Sequence, residues 1–407
     1  MQPNLPLSHN TAILGQEYNL NGLIFPNRLV IQPMEGADGT TDGAPDELTI
    51  RRYDRFAQSG AGLVWFEAVA VRHDGRANPR QLWLHANNLD QYKKLVERIR
   101  SNAIKAGNPN PVIIMQATHS GRYSKPEGPV FQPMIACNNP VYEGDNPLPP
   151  ERIVSDDTIR EIEEIYGVIT RQAMDCGFDG IDIKACHRYL NSELLAARNR
   201  SGPYGGPLEN RMRFFKNATE NARAVAKPDF LVTSRMNIYD GIPYPHGFGV
   251  NPDSGLEPDL TESIEVIKAM GFSLINITAG NPYFNPQVNR PTELEGVERM
   301  YRITKVVREA IPDIAIVASA PTYMQDESTY LAAGAVAEGY ADMVGFGRMA
   351  FAYPEFARDM INDRFDKKQT CITCGKCSEL MRGSRAGCVV RDEVYTELYR
   401  QLRASQS

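Results

Sequence analysis

Residues 177–213, GFDGIDIKACHRYLNSELLAARNRSGPYGGPLENRMR, decide the fold because they hold a buried strand, a polar segment at its end and a glycine-rich loop. Phe178, Ile181 and Ile183 are apolar positions that suit a parallel strand covered on both faces. Gly177 precedes the strand and is typical of a residue that ends a helix. The stretch therefore predicts the helix-then-strand order of an α/β protein.

Three side chains with exchangeable protons follow this strand: Lys184, His187 and Tyr189. In a (β/α)8 barrel the catalytic residues lie at the carboxyl ends of the strands. We therefore interpret these three residues as catalytic candidates. The loop YGGPLENR, residues 204–211, then leads into the next predicted helix.

Further apolar runs alternate with segments of helical periodicity along the chain. One barrel and a short appendage account for a length of 407 residues. We predict a (β/α)8 TIM barrel over residues 1–352 and a cysteine-rich, metal-binding extension over residues 353–407. The predicted strands are 28–33, 60–71, 111–116, 178–183, 230–237, 271–280, 311–318 and one that begins at 342.

The composition favours small-molecule chemistry. Hydrophobic residues make up 42% of the chain and charged residues 23%, as in ordinary globular proteins. A net charge of −6 argues against nucleic acid and anionic membranes as main partners. The first sixteen residues lack the basic and apolar segments of a secretory signal, and no stretch is long enough to span a bilayer. We expect a cytoplasmic protein, and a homo-oligomer is compatible with the sequence.

The segments Lys184-Ala-Cys-His187-Arg-Tyr189 and YGGPLENR resemble the Old Yellow Enzyme, or NADH:flavin oxidoreductase, family of FMN-dependent reductases. In that family the strand ends in His-x-x-Asn or His-x-x-His, so the chain departs at Lys184 and Arg188. The resemblance extends over residues 22–388 and implies an FMN-binding barrel that reduces an activated C=C bond. By resemblance Lys184 and His187 bind the substrate carbonyl oxygen, and Tyr189 protonates the α-carbon.

The resemblance also implies an FMN contact after the first barrel strand, at Pro33, Met34 and Glu35. Family members carry Thr or Cys where this chain has Glu35, and that residue tunes the flavin. An ionised carboxylate there would oppose flavin reduction. Glu35 therefore points away from the flavin, holds a proton, or faces solvent.

Two further flavin contacts follow from the resemblance. Gln116 ends the third predicted strand, and an amide offers the flavin pyrimidine edge a donor and an acceptor together. Arg235 ends the fifth strand, where a cation stabilises the reduced flavin. The alternative for Arg235 is an ion pair with Glu67 or Asp182. Glu67 itself lies within an apolar run, so we expect it to pair with a buried arginine or a backbone amide.

The loops after the seventh and eighth strands of such barrels present backbone N–H groups to a phosphate. Here those loops hold Ser319 and Ala320, and then Gly347 and Arg348 within the sequence DMVGFGR, which resembles the DLVGFGR of the family. Family members usually carry a glycine pair at the position of Ser319 and Ala320. The resemblance implies that these four residues hold the FMN phosphate.

Four of the seven cysteines form a C-x2-C-x2-C-x10-C pattern: Cys371, Cys374, Cys377 and Cys388. Such spacing predicts metal ligands in a reducing compartment rather than disulfides. The pattern resembles the 2,4-dienoyl-CoA reductase and trimethylamine dehydrogenase branch, in which a similar set holds a [4Fe-4S] cluster. A zinc site and free thiols are the alternatives.

The sequence contains no G-x-G-x-x-G after a strand, the pattern of a dinucleotide-binding unit. We expect either that NAD(P)H reduces FMN directly or that a separate electron-donor protein feeds the cysteine site. Lys184 favours an acid or thioester substrate if it is free, and weakens ordinary enone reduction if it pairs with Glu35 or Asp182. Alternatives to alkene reduction are oxidation of an amine or other C–H bond, and a flavin-free subunit that carries electrons or binds a partner.

Overall fold

Eight parallel strands close into a barrel in a computed structural model of the chain, which describes residues 4–405. Each barrel strand pairs with the next one in the chain, and the last pairs with the first at Val344 and Leu29. Within the described residues the strands are β1 (Tyr18–Leu20), β2 (Leu23–Phe25), β3 (Leu29–Ile31), β4 (Leu63–Ala70), β5 (Val112–Thr118), β6 (Gly180–Ile183), β7 (Leu231–Tyr239), β8 (Leu274–Ala279), β9 (Ala315–Ala318) and β10 (Met343–Phe346).

Helices cover the outside of the barrel and fill its connecting loops. The α-helices of residues 4–405 are α1 (Glu47–Ala57), α2 (Leu89–Lys105), α3 (Pro140–Glu143), α4 (Asp156–Asp175), α5 (Leu190–Leu195), α6 (Leu208–Arg211), α7 (Arg213–Arg223), α8 (Thr261–Met270), α9 (Pro286–Asn289), α10 (Leu294–Ala310), α11 (Ser328–Ala337), α12 (Arg348–Ala352), α13 (Phe356–Ile361), α14 (Lys376–Met381) and α15 (Glu393–Ala404). No helix among these residues is both long and apolar enough to cross a membrane.

The predicted (β/α)8 barrel is confirmed, because β3 to β10 each fall on a predicted strand. The apolar runs formed strands because residues inside a parallel barrel are covered on both faces. In β4 all eight residues are buried, including the charged Glu67. The hairpin β1–β2 lies before the barrel and turns at Asn21 and Gly22, both of which have positive φ.

The C-terminal extension packs against the barrel. The guanidinium of Arg51 on α1 donates to both carboxylate oxygens of Asp392, at 2.8 and 2.9 Å. Leu380, Val389 and Tyr395 form a small buried apolar cluster of the extension. The division into domains at residues 352 and 353 stays a prediction, and residues 1–3 and 406–407 of those domains lie outside the described residues.

Candidate active site

A cavity of about 360 Å³ opens at the carboxyl ends of the barrel strands. All twelve barrel residues that the sequence predicted for catalysis or FMN binding line this cavity. They are Pro33, Met34, Glu35, Gln116, Lys184, His187, Tyr189, Arg235, Ser319, Ala320, Gly347 and Arg348. The structure therefore brings the predicted set together, while the role of each residue stays a prediction.

Asp182 on β6 forms hydrogen bonds with two residues that line the cavity, Gln116 and Arg235. Its carboxylate accepts hydrogen bonds from Trp65 Nε1 at 2.7 Å, Gln116 Nε2 at 2.6 Å and the Arg235 amide at 2.8 Å. Burial raises the pKa of Asp182 to about 6, although the three donors act in the opposite direction. This network fixes strands β4, β5, β6 and β7 relative to one another and orients the Gln116 side chain.

Arg235 on β7 is a buried cation that forms no ion pair with Asp182 or Glu67. Its Nη2 donates to Thr278 Oγ1 at 3.4 Å, and its Nε has no partner within residues 4–405. Burial lowers the pKa of Arg235 from its ordinary value. The alternative of a salt-bridge partner is therefore wrong, and Arg235 lines the cavity with one buried guanidinium N–H unpaired.

Glu67 pairs instead with Arg52 of α1, which also donates to Asp38 at 2.9 Å. The backbone amide of Gly36 donates to Glu67 at 2.8 Å. Burial raises the pKa of Glu67, and the adjacent Arg52 guanidinium opposes that effect. The expected arginine and backbone-amide partners are both present, and together they anchor the loop that carries Glu35.

The chain turns sharply after β6. His187 and Arg188 have φ of 64° and 58°, a left-handed conformation that costs a residue with a side chain about 1–2 kcal/mol. The buried Arg188 guanidinium donates to Asp240 at 2.9 Å, and this ion pair holds the turn. The departure at Arg188 from the family pattern thus has a structural account.

The His187 ring accepts a hydrogen bond at Nε2 from Asn289 Nδ2, at 3.1 Å. The same Asn289 nitrogen lies 3.2 Å from the Ala279 carbonyl oxygen, which identifies it as the amide donor. The His187 proton therefore sits on Nδ1. Burial, with Arg235 and Lys184 nearby, lowers the pKa of His187 well below its ordinary value, so the ring is a neutral donor.

Lys184 and Tyr189 are in direct contact. The Lys184 ammonium lies 3.9 Å from the centre of the Tyr189 ring, and no carboxylate among residues 4–405 forms an ion pair with it. Burial lowers the pKa of Lys184. The alternative of a salt bridge to Glu35 or Asp182 is therefore wrong, because the ammonium lies over the aromatic ring.

The Tyr189 hydroxyl lies between two partners. It donates to Glu35 Oε2 at 3.3 Å and lies 2.9 Å from the Tyr283 hydroxyl. Burial and the Glu35 carboxylate raise the pKa of Tyr189, and burial raises the pKa of Glu35. Glu35 lines the cavity, and the raised pKa favours the expectation that it holds a proton over the one in which it faces solvent.

The loops after β9 and β10 form one end of the cavity. Ala320 has φ of 71°, the left-handed region that favours glycine, at the position of the glycine pair in the family pattern. Ser319 Oγ donates to the Ile277 carbonyl and accepts from Gln32 Nε2 at 3.1 Å. Arg348 follows Gly347 and faces the cavity. The backbone at Ala320 thus adopts a conformation that favours glycine although no glycine is present there.

Several cavity residues were missed by sequence reasoning. Arg290 comes from the loop after β8, and Met381 and Arg382 come from the extension. Gln32, Pro286 and Asn289 were also missed. None lies in a strand-end motif, so no signal marked them in the sequence, except that Gln32 directly precedes the predicted Pro33.

The cavity is strongly cationic. Five of its lining residues carry a positive charge, and Glu35 is the one acidic residue among them. The chain as a whole has a net charge of −6, so the cations are concentrated at this site. Such a cluster favours a ligand with phosphate or carboxylate groups. The cations are Lys184, Arg235, Arg290, Arg348 and Arg382.

The four cysteines of the extension line a second, smaller pocket of about 20 Å³. Backbone amides donate to two of the sulfurs, Thr373 to Cys371 at 3.4 Å and Arg391 to Cys388 at 3.3 Å. Burial raises the pKa of Cys371 to about 11. Arg348 lines both this pocket and the large cavity.

No three His, Cys, Asp or Glu side chains within residues 4–405 are arranged as a metal-binding group. The four cysteines form no disulfide bond with one another, and Cys371 is buried whereas Cys374 is exposed. The metal-binding character of the extension is therefore not confirmed and stays a prediction.

Comparisons with known proteins agree with this architecture. The chain is 27% identical over 413 residues to the NADH oxidase of Thermoanaerobacter brockii, covering 95% of the chain and 57% of that protein. It is 24% identical over 395 residues to the cinnamate reductase of Clostridium sporogenes, covering 93% and 57%. A 2-naphthoyl-CoA reductase in complex with 2-naphthoyl-CoA has the same fold, with a TM-score of 0.78, 20% identity, and coverage of 96% of this chain and 58% of that one.

The chain thus spans a little over half the length of these relatives. The model of the NADH:flavin oxidoreductase / NADH oxidase family matches residues 20–367, which include every barrel strand from β3 to β10 and most of the residues that line the cavity. The predicted family is therefore confirmed: the chain belongs to the NADH:flavin oxidoreductase / NADH oxidase family.

Proposed function

We propose that the chain is an FMN-dependent ene-reductase that uses NAD(P)H to reduce the activated C=C bond of an α,β-unsaturated carbonyl compound, acid or thioester. The observation that carries the proposal is the single cavity shared by Lys184, His187 and Tyr189 and by the predicted flavin contacts. Family membership supports the same conclusion.

The residues present fit FMN. Arg235 offers a buried, unpartnered Nε–H, which suits the electron-rich edge of a flavin. Gln116 has one N–H committed to Asp182 and keeps its carbonyl oxygen as an acceptor. Ser319, Ala320, Gly347 and Arg348 would hold the phosphate through amide groups and one guanidinium.

When bound, FMN would supply the hydride that adds to the β-carbon of the alkene. Lys184 and the Nδ1–H of His187 would donate to the carbonyl oxygen, where negative charge grows as the hydride adds. Tyr189 would then give its phenolic proton to the α-carbon. Lys184 assists that step as well, because an ammonium over the ring stabilises the phenolate that remains.

The charge of the cavity favours an acidic or thioester-linked alkene over a neutral enone. Arg290 and Arg382 line the cavity, and neither belongs to the residues proposed for the FMN phosphate. Two related proteins, a cinnamate reductase and a 2-naphthoyl-CoA reductase, are named for an acid and a thioester of this class. We therefore place conjugated acids and their thioesters first among substrates.

We further propose that the cysteine pocket holds a [4Fe-4S] cluster, with zinc as the alternative. Four thiols open on one pocket, and amide N–H···S contacts such as those to Cys371 and Cys388 are typical of cluster ligands. Cys374 is exposed, whereas Arg348 reaches both pockets. A cluster there could pass electrons from a separate donor protein to the flavin.

An anaerobic spectral experiment tests the proposed function. The protein is loaded with FMN, reduced with NADH or NADPH, and then mixed with trans-cinnamate, crotonyl-CoA or 2-cyclohexen-1-one. We expect the flavin absorbance to bleach with the nicotinamide and to return with at least one alkene. Failure to bind FMN, or return of the absorbance only with oxygen or a saturated amine, would contradict the proposal.

A further inference from the structure

Glu35 lines the cavity, but the proposed reaction assigns no role to its carboxyl group. It follows Met34 on the loop after β3, and its Oε2 accepts the hydrogen bond of the Tyr189 hydroxyl at 3.3 Å. The next residue, Gly36, donates its amide to the buried Glu67 at 2.8 Å. The loop is therefore anchored, and the carboxylate is held beside the proposed acid.

Tyr283 lies on the other side of the same hydroxyl. Its oxygen is 2.9 Å from that of Tyr189, and the two rings are nearly parallel, with centres 6.3 Å apart. Tyr189 is 2% exposed, whereas Tyr283 is 47% exposed and lies on the loop after β8. Three oxygens thus form one hydrogen-bonded path from Glu35 past Tyr189 to Tyr283, whose side chain is partly exposed.

We propose that Glu35 and Tyr283 form a proton relay with Tyr189, which restores the proton that Tyr189 gives to the substrate. This inference rests on the proposed function. Tyr189 is the residue that touches substrate, and the other two act through it. The relay explains why a carboxylate stands where the family pattern has Thr or Cys.

The step balances without a further reactant. The Tyr189 O–H bond breaks as the α-carbon–H bond forms, and a phenolate is left. That phenolate takes a proton from the carboxylic acid of Glu35 or from the Tyr283 hydroxyl. A proton from solvent then restores the group that donated it. No electrons move in the relay, since the hydride has already been transferred.

The charges around Glu35 decide when it holds a proton. Lys184 and Arg52 favour the carboxylate, whereas burial favours the acid and is the larger effect, so the pKa of Glu35 is raised. Tyr189 and Tyr283 are the hydroxyls that face it. With Glu35 ionised, loss of the Tyr189 proton would place two anions side by side, which raises the cost of proton donation.

The relay therefore requires protonated Glu35. The rate of flavin reoxidation by an alkene should fall as the pH rises through the pKa of Glu35, because the acid form is lost. Glu35→Gln keeps a side chain of the same size that has no acidic proton. We expect this variant to be at least tenfold slower at low pH and to lose that limb of the pH profile.

The experiment is anaerobic stopped flow on FMN-loaded protein reduced with dithionite and reoxidised by trans-cinnamate, crotonyl-CoA or 2-cyclohexen-1-one across a range of pH. Tyr283→Phe should also slow reoxidation, by about tenfold. Tyr123→Phe is the matched control: its ring packs against Tyr283, but its hydroxyl accepts from Asn281 at 2.6 Å and is outside the relay. We expect it to keep the wild-type pH profile.

A second readout uses flavin-free protein. Asp182 and Glu67 also have raised pKa values, so the Glu35 infrared band is taken from the difference between the wild type and Glu35→Gln. That protonated-carboxyl band should titrate above the range of an exposed glutamate and shift in Tyr189→Phe. A Glu35→Gln variant with the wild-type pH profile, or a Glu35 that titrates as an exposed carboxylate, would overturn the relay. If no alkene reoxidises the wild-type protein, the proposed function is wrong and the relay falls with it.

Discussion

The ammonium of Lys184 lies 3.9 Å from the centre of the Tyr189 ring, so the cation that replaces the family histidine faces the proposed acid directly. A lysine charge is compact and strongly hydrated in water, and its burial at 4% exposure is costly unless it serves a purpose. In this position it can stabilise both the enolate oxygen of a substrate and the phenolate that Tyr189 becomes. We therefore expect Lys184 to take part in catalysis although it stands where the family pattern has a histidine.

Lys184→Met should separate the two halves of the reaction. We expect alkene-dependent reoxidation of the flavin to slow by roughly 100-fold, because one donor to the growing negative charge is lost. Reduction by NADH should change by much less. In the wild type the alkene step should also weaken as pH rises through the pKa of Lys184, which burial places below that of free lysine, since the ammonium is then lost. Stopped-flow rates for each half-reaction, measured against pH, check both statements.

Equal slowing of both half-reactions by Lys184→Met would contradict this role. Lys268→Met is the control, because Lys268 lies on the outer helix α8 and does not line the cavity. It should leave both rates unchanged.

Arg348 and Arg235 should contribute differently to flavin binding. We expect Arg348→Gln to weaken FMN binding about 10- to 100-fold and to leave riboflavin binding unchanged, because riboflavin lacks the phosphate. Arg235→Leu should weaken the binding of both ligands, since we propose that Arg235 contacts the ring system. Quenching of flavin fluorescence gives the dissociation constants of FMN and riboflavin for the wild type and for both variants. Equal loss of FMN and riboflavin affinity in Arg348→Gln would place the phosphate elsewhere.

We expect Asp182 to stabilise the barrel as a whole, because its carboxylate connects four strands. Asp182→Asn replaces one of the two acceptor oxygens with a donor, which faces Trp65, Gln116 or the Arg235 amide. We expect a loss of about 2–4 kcal/mol in the free energy of unfolding, with a lower Tm. Thermal unfolding followed by circular dichroism measures the change. Asp253→Asn, at an exposed position, is the control and should leave Tm unaltered.

The proposed [4Fe-4S] cluster predicts the metal content of the protein. Wild-type protein purified anaerobically should contain about four irons and four acid-labile sulfides per chain. Cys374→Ser should lose most of this iron, whereas Cys137→Ser should keep it, because Cys137 lies outside the pocket. Iron, sulfide and zinc analysis decides the matter. One zinc per chain would support the alternative, and neither metal would leave the four thiols without a shared role.

The barrel could be predicted because its strands are short apolar runs covered on both faces. The glycine-rich segments between them also match the pattern of the family. The order of strands then placed the strand-end residues in one cavity, including Gln116 and Arg235. The hairpin β1–β2 was not predicted, although Asn-Gly, here Asn21-Gly22, is a recognised turn signal. Its strands have three residues each, too few for the alternation of polar and apolar positions to stand out.

Other parts of the site lay beyond sequence reasoning. Arg290 comes from a loop and Arg382 from the extension. In neither segment does a strand or helix periodicity indicate which residue faces the cavity. A carboxylate partner was one of two alternatives for Lys184, and packing placed the ammonium over the Tyr189 ring instead. The path from Glu35 past Tyr189 to Tyr283 joins three loops far apart in the chain, so it is visible only once the barrel is closed.

Isotopic labelling of the product tests the central claim most directly. FMN-loaded protein is given NADH or NADPH deuterated at the transferable C4 position, with trans-cinnamate or crotonyl-CoA, and the reaction is repeated with unlabelled nicotinamide in D2O. We predict deuterium at the β-carbon of the saturated product in the first case and at the α-carbon in the second, because hydride comes from the cofactor and the proton from the Tyr189 path. Absence of a saturated product, or nicotinamide deuterium at the α-carbon, would contradict the account.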